Sequence, residues 1–412
     1  MIRILHFSDY HLGSDSYGKP DPATGINQRT LDFATRLDEL IEFAFSNGVD
    51  VVLFAGDAFK NAHPSPTVQK LLAERIWRLA KGGVRVFLLA GNHDLPRMVA
   101  NVTAFSVYPA LEVENVTVAE RAGIYVVETA TGERLQIAAM PHFWRSALLA
   151  EIDRPLAPEE VDRAIDRMVA EKVAYLAERL NPNLPAVLTA HCHVNQAAIS
   201  DAQDMYGISD FQVLLSSVAH RSFPYVALGH IHKKQVLADD RPGGCFVAYS
   251  GSLDRVDFSE EKEDKGFYVV DYEGTGLAHE PVFQSVAARR FVTVSATPSS
   301  DAPTESVLDA IAKHDISDAI VRVRLSTPRD LYATIDLGAV RRSLEPAYDA
   351  RVHPIYEREH VVLRDPRFAG QLSEAQALEE YVRSETSLAR DADELLRLGR
   401  DLINDVLSGA GA

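Results

Sequence analysis

The chain has 412 residues, of which 46% are hydrophobic and 25% charged, a balance typical of a folded globular protein with two or more domains. Two cysteines give no disulfide framework, and neither a signal peptide nor an apolar stretch of about 18 residues is visible, so we expect a cytoplasmic protein without membrane contact. The formal net charge of −17 argues against a chain that holds nucleic acid through its overall charge alone.

The first 280 residues alternate between apolar runs and amphipathic segments. The runs at 3–8, 51–56, 84–90, 186–190 and 225–229 predict buried parallel strands. Helical spacing with start and stop signals predicts helices at 28–47, 66–80 and 158–180, and residues 12–27 predict a loop. This part of the chain is therefore expected to be an α/β fold.

Each of the five apolar runs ends in residues that commonly bind metal ions. Those residues are Asp9, His11, Asp57, Asn92, His191, His230 and His232, with His93 as a further candidate. Reactive sites in open α/β sheets lie outside the carboxyl ends of the strands, so we expect these side chains to converge. Mixed nitrogen and oxygen ligands favour Mn, Fe or Zn over Mg or Ca. A carboxylate such as Asp57 can bridge two ions about 3.5–4 Å apart.

The pattern changes after residue 285. Strands at 291–294, 319–325 and 351–356, with helices at 305–313 and 338–344, predict a small α/β unit. Arg322 and Arg324 alternate with apolar residues, so one strand face would be basic. That face either contacts a substrate or is only solvated.

The tail is expected to form two helices. Ser373 with Gln376, and Asp391 with Glu394, have the spacing of capping boxes. An apolar stripe on the second helix consists of Leu395, Leu398, Leu402 and Val406. The stripe must be buried either on the chain's own body or on a partner.

The motifs resemble those of one known family. The chain resembles the calcineurin-like metallophosphoesterases in the order and spacing of its motifs. The motifs that carry the resemblance are Asp9-Tyr10-His11, Gly56-Asp57, Gly91-Asn92-His93-Asp94, His191 and Gly229-His230-Ile231-His232. Within that family, the nuclease subunits of bacterial DNA repair complexes are similar at Tyr249-Ser250-Gly251-Ser252 and Lys265-Gly266-Phe267. The resemblance implies a sandwich of two mixed sheets flanked by helices at 1–284. It further implies a capping domain that directs DNA at 285–365, and C-terminal helices at 366–412 that dock to an ATPase.

The resemblance also implies a role for each residue. Two divalent ions, in the first place Mn2+, would be held by two sets that share Asp57. One set is Asp9, His11, Asp57 and His232, and the other is Asp57, Asn92, His191 and His230. His93 would protonate the leaving oxygen. Asp94 would orient that imidazole, or serve as a turn residue. Lys60 stands where some relatives have His or Asp, and would contact phosphate or reach solvent.

The expected function is a metal-dependent DNA nuclease, with double-strand 3′–5′ exonuclease and single-strand or hairpin endonuclease activity. It would act at the nucleoid with an SMC-like ATPase in double-strand break repair and recombination. The ATPase would supply much of the grip on DNA, and a homodimer would form through helices near 66–80 and after Asp94. Two alternatives are a phosphoesterase for small molecules or phosphoproteins, and a non-catalytic scaffold. The complete ligand set argues against the scaffold.

Overall fold

The computed structural model describes residues 1–96, 103–144, 158–199, 211–239, 244–356, 373–384 and 392–407. The strands are β1 (Ile2–Phe7), β2 (Val51–Phe54), β3 (Arg85–Leu89), β4 (Val116–Ala119), β5 (Gly123–Glu128), β6 (Arg134–Met140), β7 (Ala186–His191), β8 (His193–Val194), β9 (Gln212–Val213), β10 (Tyr225–Gly229), β11 (Gln235–Asp239), β12 (Phe246–Tyr249), β13 (Gly266–Glu273), β14 (Gly276–Leu277), β15 (Val282–Ser285), β16 (Phe291–Ala296), β17 (Ile320–Thr327) and β18 (Asp349–Tyr356). The helices are α1 (Gln28–Ser46), α2 (Pro66–Lys81), α3 (Val107–Ala110), α4 (Pro158–Glu178), α5 (Leu215–Val218), α6 (Pro303–Ala312), α7 (Arg329–Tyr332), α8 (Leu337–Ser343), α9 (Glu374–Ser384) and α10 (Ala392–Leu407). Short 3-10 turns lie at Ala104–Ser106 and Phe258–Glu260.

Two mixed sheets pack face to face. The first has the order β14-β13-β1-β2-β3-β4, with β15 paired to β13, and the second has the order β11-β12-β10-β7-β6-β5. Strands β1 to β4 run parallel in the first sheet, as do β6, β7, β10 and β12 in the second. The expected sandwich of two mixed sheets is confirmed.

Alternation along each strand divides the side chains between inner and outer layers. In β1, Ile4 faces the second sheet in a core shared with Tyr225, whereas Leu5 and Phe7 face α1 and α2. The outer face of the second sheet packs on α4 through residues such as Ile165. Each fully buried aliphatic side chain contributes about 1.5–3 kcal/mol. The result is a helix–sheet–sheet–helix arrangement whose strands end at a common edge.

Local signals account for the predicted helices. Asn27 caps α1 by accepting from the backbone N–H of Arg29, and Ser65 caps α2 by accepting from that of Val68. Pro66 occupies the first turn of α2, where a missing N–H costs nothing. The helices predicted at 28–47, 66–80 and 158–180 are confirmed to within two residues. The predicted helix after Asp94 falls partly on 97–102, outside the described residues.

The third sheet, β16-β17-β18, is all parallel and carries α6 and α8 on one face. Its other face meets the sandwich through Phe291, which lies 4.9 Å from Phe258 between ring centroids. Arg289, in the segment entering this sheet, pairs with Asp32 of α1 at 2.6 Å. The small α/β unit predicted after residue 285 is thus present and rests on the body.

The tail helices α9 and α10 pack against each other. Ser373 and Gln376 form the expected reciprocal hydrogen bonds, whereas Asp391 lies outside the described residues. The expected boundary between 365 and 366 also lies outside them. On α10, Leu398 and Leu402 are 46% and 66% exposed. Within the described ranges, no helix is both long and apolar enough to cross a membrane.

Candidate metal centre

The carboxyl ends of five strands bring the predicted ligands together. β1, β2 and β3 lead to Asp9 and His11, to Asp57 and to Asn92, while β7 ends at His191 and β10 leads to His230 and His232. Three groups of these side chains have ligand atoms within 4.8 Å of one another. The groups are Asp9–His11–His232, His11–Asp57–His93 and Asp9–Asp57–His191.

Asp57 lies between two halves of the site. Its Oδ2 is 3.7 Å from Nε2 of His11 and 3.4 Å from Nε2 of His191. On the His191 side, Oδ1 of Asn92 lies 2.9 Å from Nε2 of His191 and 3.0 Å from Nδ1 of His230. On the other side, the Nε2 atoms of His11 and His232 are 2.9 Å apart. This geometry matches a carboxylate placed to bridge two ions.

The donor set fits divalent cations. His191 gives its Nδ1–H to the carbonyl of Ala55 at 2.8 Å, and His232 gives its Nδ1–H to Glu260 at 2.7 Å. These hydrogen bonds assign the tautomers, so the Nε2 lone pairs of both rings face the centre. Where such a nitrogen faces a carboxylate oxygen at short range, as His191 faces Asp57 at 3.4 Å, a proton or a metal ion must lie between the two atoms. When bound, two ions would stabilise charge on the attacking and leaving oxygens of a phosphate ester.

Several ligand residues sit on unusual backbone. Asp9, His11, Asp57 and His230 have φ values of 51°, 46°, 64° and 102°. Such values are uncommon outside glycine and cost on the order of 1–3 kcal/mol each. The Asp9 carboxylate offsets part of this cost by accepting from the backbone N–H of His230 at 3.0 Å. This backbone conformation directs the side chains toward the centre at the ends of the strands.

The glycines of the motifs make room for these side chains. A Cβ on Gly56 would lie 2.3 Å from Nδ1 of His191, and one on Gly91 would lie 2.2 Å from Oδ1 of Asp57. A Cβ on Gly229 would lie 2.1 Å from the Ala55 carbonyl oxygen. In three motifs a glycine directly precedes a proposed ligand, because the close packing around the centre leaves no room for a Cβ there.

Electrostatics favour the metal-binding form of His11, His230 and Asp57 but not that of His191. Burial lowers the pKa of His11 and of His230 well below the ordinary value, so both rings are neutral near pH 7. Burial would raise the pKa of Asp57, but His191 and His93 hold it well below its usual range. Burial lowers the pKa of His191, yet Asp57 and Asp9 outweigh that effect and raise it to about 9. A metal ion must therefore displace a proton from His191.

His93 lies at the mouth of the site, where its ring is exposed. Its Nδ1 lies 2.8 Å from the carbonyl of Lys60, and its ring centroid lies 4.8 Å from that of His11. Its backbone N–H donates to Oδ1 of Asp57. This placement suits a proton donor that stands beside the metals.

The expectation that Asp94 orients the His93 imidazole is wrong. The Asp94 carboxylate accepts from the backbone N–H groups of Asp57, Ala58 and Gly91 at 2.8–3.0 Å, and the Lys60 carbonyl holds the imidazole instead. Burial and the charge of Asp57 raise the pKa of Asp94 to about 7, against the opposing effect of these backbone donors. Asp94 thus fixes the loop that carries Asp57. This is the turn role, which the sequence offered as the alternative to orienting His93.

The residues expected to contact substrate are Lys60 in the loop after β2, and Arg322 and Arg324 on β17. The ammonium of Lys60 is 2.6 Å from Asp15 in the loop after the first motif, and both side chains are about half exposed. Arg322 donates to Thr293 and stacks on Phe258 at 4.3 Å, while Arg324 is exposed. Their contact with a substrate stays a prediction.

The sequence did not reveal Glu260, which is 1% exposed and bonds His232. Burial would raise the pKa of its carboxyl, but Lys265 and His232 hold it far below the usual range. Glu260 stands in a run of charged residues at 260–265 that has the pattern of a solvated loop. The signal that could have found it is Lys265, a lone cation that enters a buried strand.

Fold and site together define the class. A profile of the calcineurin-like phosphoesterases matches residues 2–234, more than half of the chain, and the chain belongs to this family.

Within this family, the chain is similar to nuclease subunits and to a DNA repair protein. The SbcD subunit of the nuclease SbcCD from Bacillus subtilis (strain 168) is 25% identical over 272 residues, covering 66% of each chain. The SbcD subunit of the nuclease SbcCD from Escherichia coli (strain K12) is 27% identical over 290 residues, covering 67% of this chain and 66% of that protein. The DNA double-strand break repair protein Mre11 of Methanocaldococcus jannaschii is 22% identical over 369 residues, covering 88% of this chain and 83% of that protein. The match thus spans slightly less than two thirds of the two bacterial relatives.

Proposed function

We propose that this chain is a metal-dependent DNA nuclease that acts with an SMC-like ATPase of the SbcC type in double-strand break repair and recombination. The observation that carries the proposal is the position of Asp57 between two groups of ligands, with exposed His93 beside it. The names of the relatives support this assignment, because two are nuclease subunits and the third is a DNA double-strand break repair protein. The proposed activities are a double-strand 3′–5′ exonuclease and a single-strand or hairpin endonuclease.

The proposed chemistry divides the labour among the chain's own residues. Asp9, His11, Asp57 and His232 would hold one ion, and Asp57, Asn92, His191 and His230 the other. His93 would give a proton to the leaving 3′ oxygen, because its exposed imidazole stands beside the proposed ligand His11. Mn2+ is the proposed ion, because a set rich in imidazoles suits borderline metals better than Mg or Ca.

The nuclease proposal is tested with end-labelled linear duplex DNA and a DNA hairpin. The purified chain is incubated with Mn2+, Mg2+ or a chelator, and Asp57→Ala serves as the inactive control. We expect Mn2+-dependent cleavage that the variant lacks. The net charge of −17 favours a second candidate, a phosphoesterase for small diesters. Turnover of a small diester without cleavage of DNA would support that candidate and contradict the nuclease.

We propose the domain division 1–284, 285–365 and 366–412. The third sheet and its separate core support the middle unit as a cap that directs DNA through Arg322 and Arg324. Register supports a continuous basic face, because Arg322 pairs with Arg351 and Arg324 with His353 on β18. Lys60, at the edge of the metal centre, would reach phosphate on release from Asp15.

The apolar side of α10 is the proposed docking surface for the ATPase, at the base of its coiled coil. Leu395, Leu398 and Leu402 are 37%, 46% and 66% exposed, which supports a partner rather than the chain's own body. We expect L398E/L402E to abolish co-purification with the ATPase, while Arg397→Ala on the opposite side preserves it. Unchanged co-purification of the double variant would contradict the assignment.

A homodimer through α2 is proposed as well. Trp77 on α2 is 55% exposed and Phe45 at the end of α1 is 38% exposed, so the two helices present aromatic surface. Light scattering with Trp77→Glu tests this, with a monomer expected from the variant and a dimer from the native chain. The proposed location is the cytoplasm at the nucleoid, where the DNA lies.

A further inference from the structure

One ligand histidine is held from behind by a buried charged group. Nδ1 of His232 lies 2.7 Å from Oε1 of Glu260. The other carboxylate oxygen lies 2.7 Å from Nζ of Lys265, which is 2% exposed. Ser252 donates its hydroxyl to that same oxygen at 3.0 Å, and the backbone N–H of Val256 donates to it at 3.2 Å. The carboxylate is therefore fixed on both sides.

This arrangement is a costly way to gain stability. Removing Lys265 and Glu260 from water loses their hydration, and apolar residues of similar size often stabilise such a position as well or better. The ammonium of Lys265 also donates to the backbone carbonyl of His232 at 3.0 Å. Glu260 and Lys265 thus both contact His232, one of the proposed ligands.

The hydrogen bond from His232 has a direct effect on its coordinating atom. Because Nδ1–H is given to Glu260, the lone pair on Nε2 faces His11 and Asp9 across the centre. A carboxylate partner also makes an imidazole a stronger ligand, and loss of such a partner typically weakens metal binding 10–100-fold.

The neighbouring Glu261 has a different partner from Glu260. Glu261 accepts from the backbone N–H of Thr293 at 2.9 Å and from its hydroxyl at 2.6 Å, so it holds β16 of the third sheet. Two adjacent glutamates thus have separate partners. Glu261 provides a matched control of the same charge, one position away.

We propose that Glu260 is a positioning residue that aims Nε2 of His232 at one of the two metal positions and sets the Mn2+ affinity there, with Lys265 as its buried counter-ion. The proposal rests on the metal centre of the proposed function but not on DNA as the substrate. Its test therefore uses Mn2+ alone, so a failure to cleave DNA would leave it standing.

The experiment is a Mn2+ titration of the full chain, with free Mn2+ measured by electron paramagnetic resonance. Removing Glu260 alone would leave Lys265 buried without its counter-ion, so paired variants are used. E260M/K265M removes the acceptor, whereas E260Q/K265M keeps an amide oxygen that accepts from Nδ1–H. We expect one of the two sites to weaken 10–100-fold in E260M/K265M and about tenfold or less in E260Q/K265M. E261Q should keep both affinities.

Wild-type affinities in E260M/K265M, or an equal loss in E261Q, would overturn the proposal. If E260M/K265M does not fold, the Zn2+-loaded chain provides a second measurement. The proton resonance of His232 Nδ1–H should move upfield in E260Q/K265M, because a neutral amide is a weaker acceptor than a carboxylate. An unmoved resonance would likewise overturn the role of Glu260.

Discussion

The two sheets of the sandwich contribute unlike halves to the metal centre. The first sheet supplies the proposed oxygen ligands Asp9, Asp57 and Asn92, together with His11, whereas the second supplies the imidazoles of His191, His230 and His232. Carboxylates attract any divalent ion, and imidazoles favour borderline metals. In the proposed centre, negative charge would therefore come from the first sheet, and most of the preference for borderline metals from the second. The centre is therefore a property of the packing between the sheets.

Asp57→Ala should break this division most severely, because Asp57 faces both groups of ligands. We expect Mn2+ binding to weaken at both positions and hydrolysis of a phosphodiester to drop by at least about 10³-fold, because both proposed ligand sets include this carboxylate. Stoichiometry by calorimetry and initial rates measure the two effects. Asp330→Ala, at an exposed aspartate of the third sheet's unit, is the control. Full Mn2+ binding in Asp57→Ala would refute the bridging role.

His93→Ala should separate binding from chemistry. We expect both ions to stay bound and the rate to fall about 10²–10⁴-fold, because the leaving oxygen loses its proton donor. Calorimetry and single-turnover rates make the measurement. His63, exposed in the loop after β2, gives the control variant His63→Ala. Loss of an ion from His93→Ala would reassign this residue as a ligand.

Metal removal should loosen the contact between the sheets. At a free concentration 100 times the dissociation constant, each ion stabilises the folded state by about 2.7 kcal/mol. We expect the melting temperature to rise with Mn2+ and to fall with chelator, and the rise to vanish in Asp57→Ala. Scanning calorimetry at fixed pH measures this. A Mn2+-dependent rise that persists in Asp57→Ala would place the stabilising ion elsewhere.

Metal affinity should increase with pH up to about 9. His191 has its pKa raised to about 9 in the metal-free site, so below that pH an ion must release its proton. Mn2+ titrations at pH 7 in buffers of different ionisation enthalpy count the protons released. We expect His191 to release about one proton when a metal ion binds to its ligand set. Affinity that is flat between pH 7 and 9 would show that His191 is already neutral.

His6→Gln tests the interface between the sheets away from the metals. His6 on β1 lies 2.8 Å from the hydroxyl of Tyr225 on β10, and burial lowers its pKa to about 3. The unfolded chain therefore binds a proton below pH 6.5 that the folded chain refuses. Stability from this residue is complete above 6.5 and is lost as the pH falls toward 3, by at most about 4–5 kcal/mol. Urea unfolding of His6→Gln should show a flatter acid limb than the native chain or His353→Gln.

Lys60→Ala should have the smallest effect. Its pair with Asp15 is exposed, and such pairs contribute about 0–1 kcal/mol. We expect unchanged unfolding and a modest rise in KM for DNA with little change in kcat. A large fall in kcat would instead give Lys60 a direct part in the reaction.

The sequence was most informative where apolar runs meet polar ends. Strands β1, β2, β3, β7 and β10 could be predicted, and so could the convergence of the polar residues at their ends, because continuous burial and terminal polar residues are both visible in one dimension. That these residues bind metal ions stays a prediction. Strands β4 to β6 and β11 to β13 were missed, since their pairing depends on distant partners. The role of Asp94 was misjudged because the backbone N–H groups it accepts from are ordered only by the loop between β2 and α2. Glu260 is indistinguishable from Glu261 until the chain is folded.

The order of the ligands along the chain also has a consequence during synthesis. The first four ligands lie within the first 92 residues, and the last, His232, follows about 140 residues later. At roughly 5–20 residues per second, the first four proposed ligands emerge about 7–28 s before His232, which completes the set. A nascent chain thus displays carboxylates that can capture any abundant divalent ion before the three imidazoles of the second sheet are synthesised. The final metal content should depend on exchange after release from the ribosome.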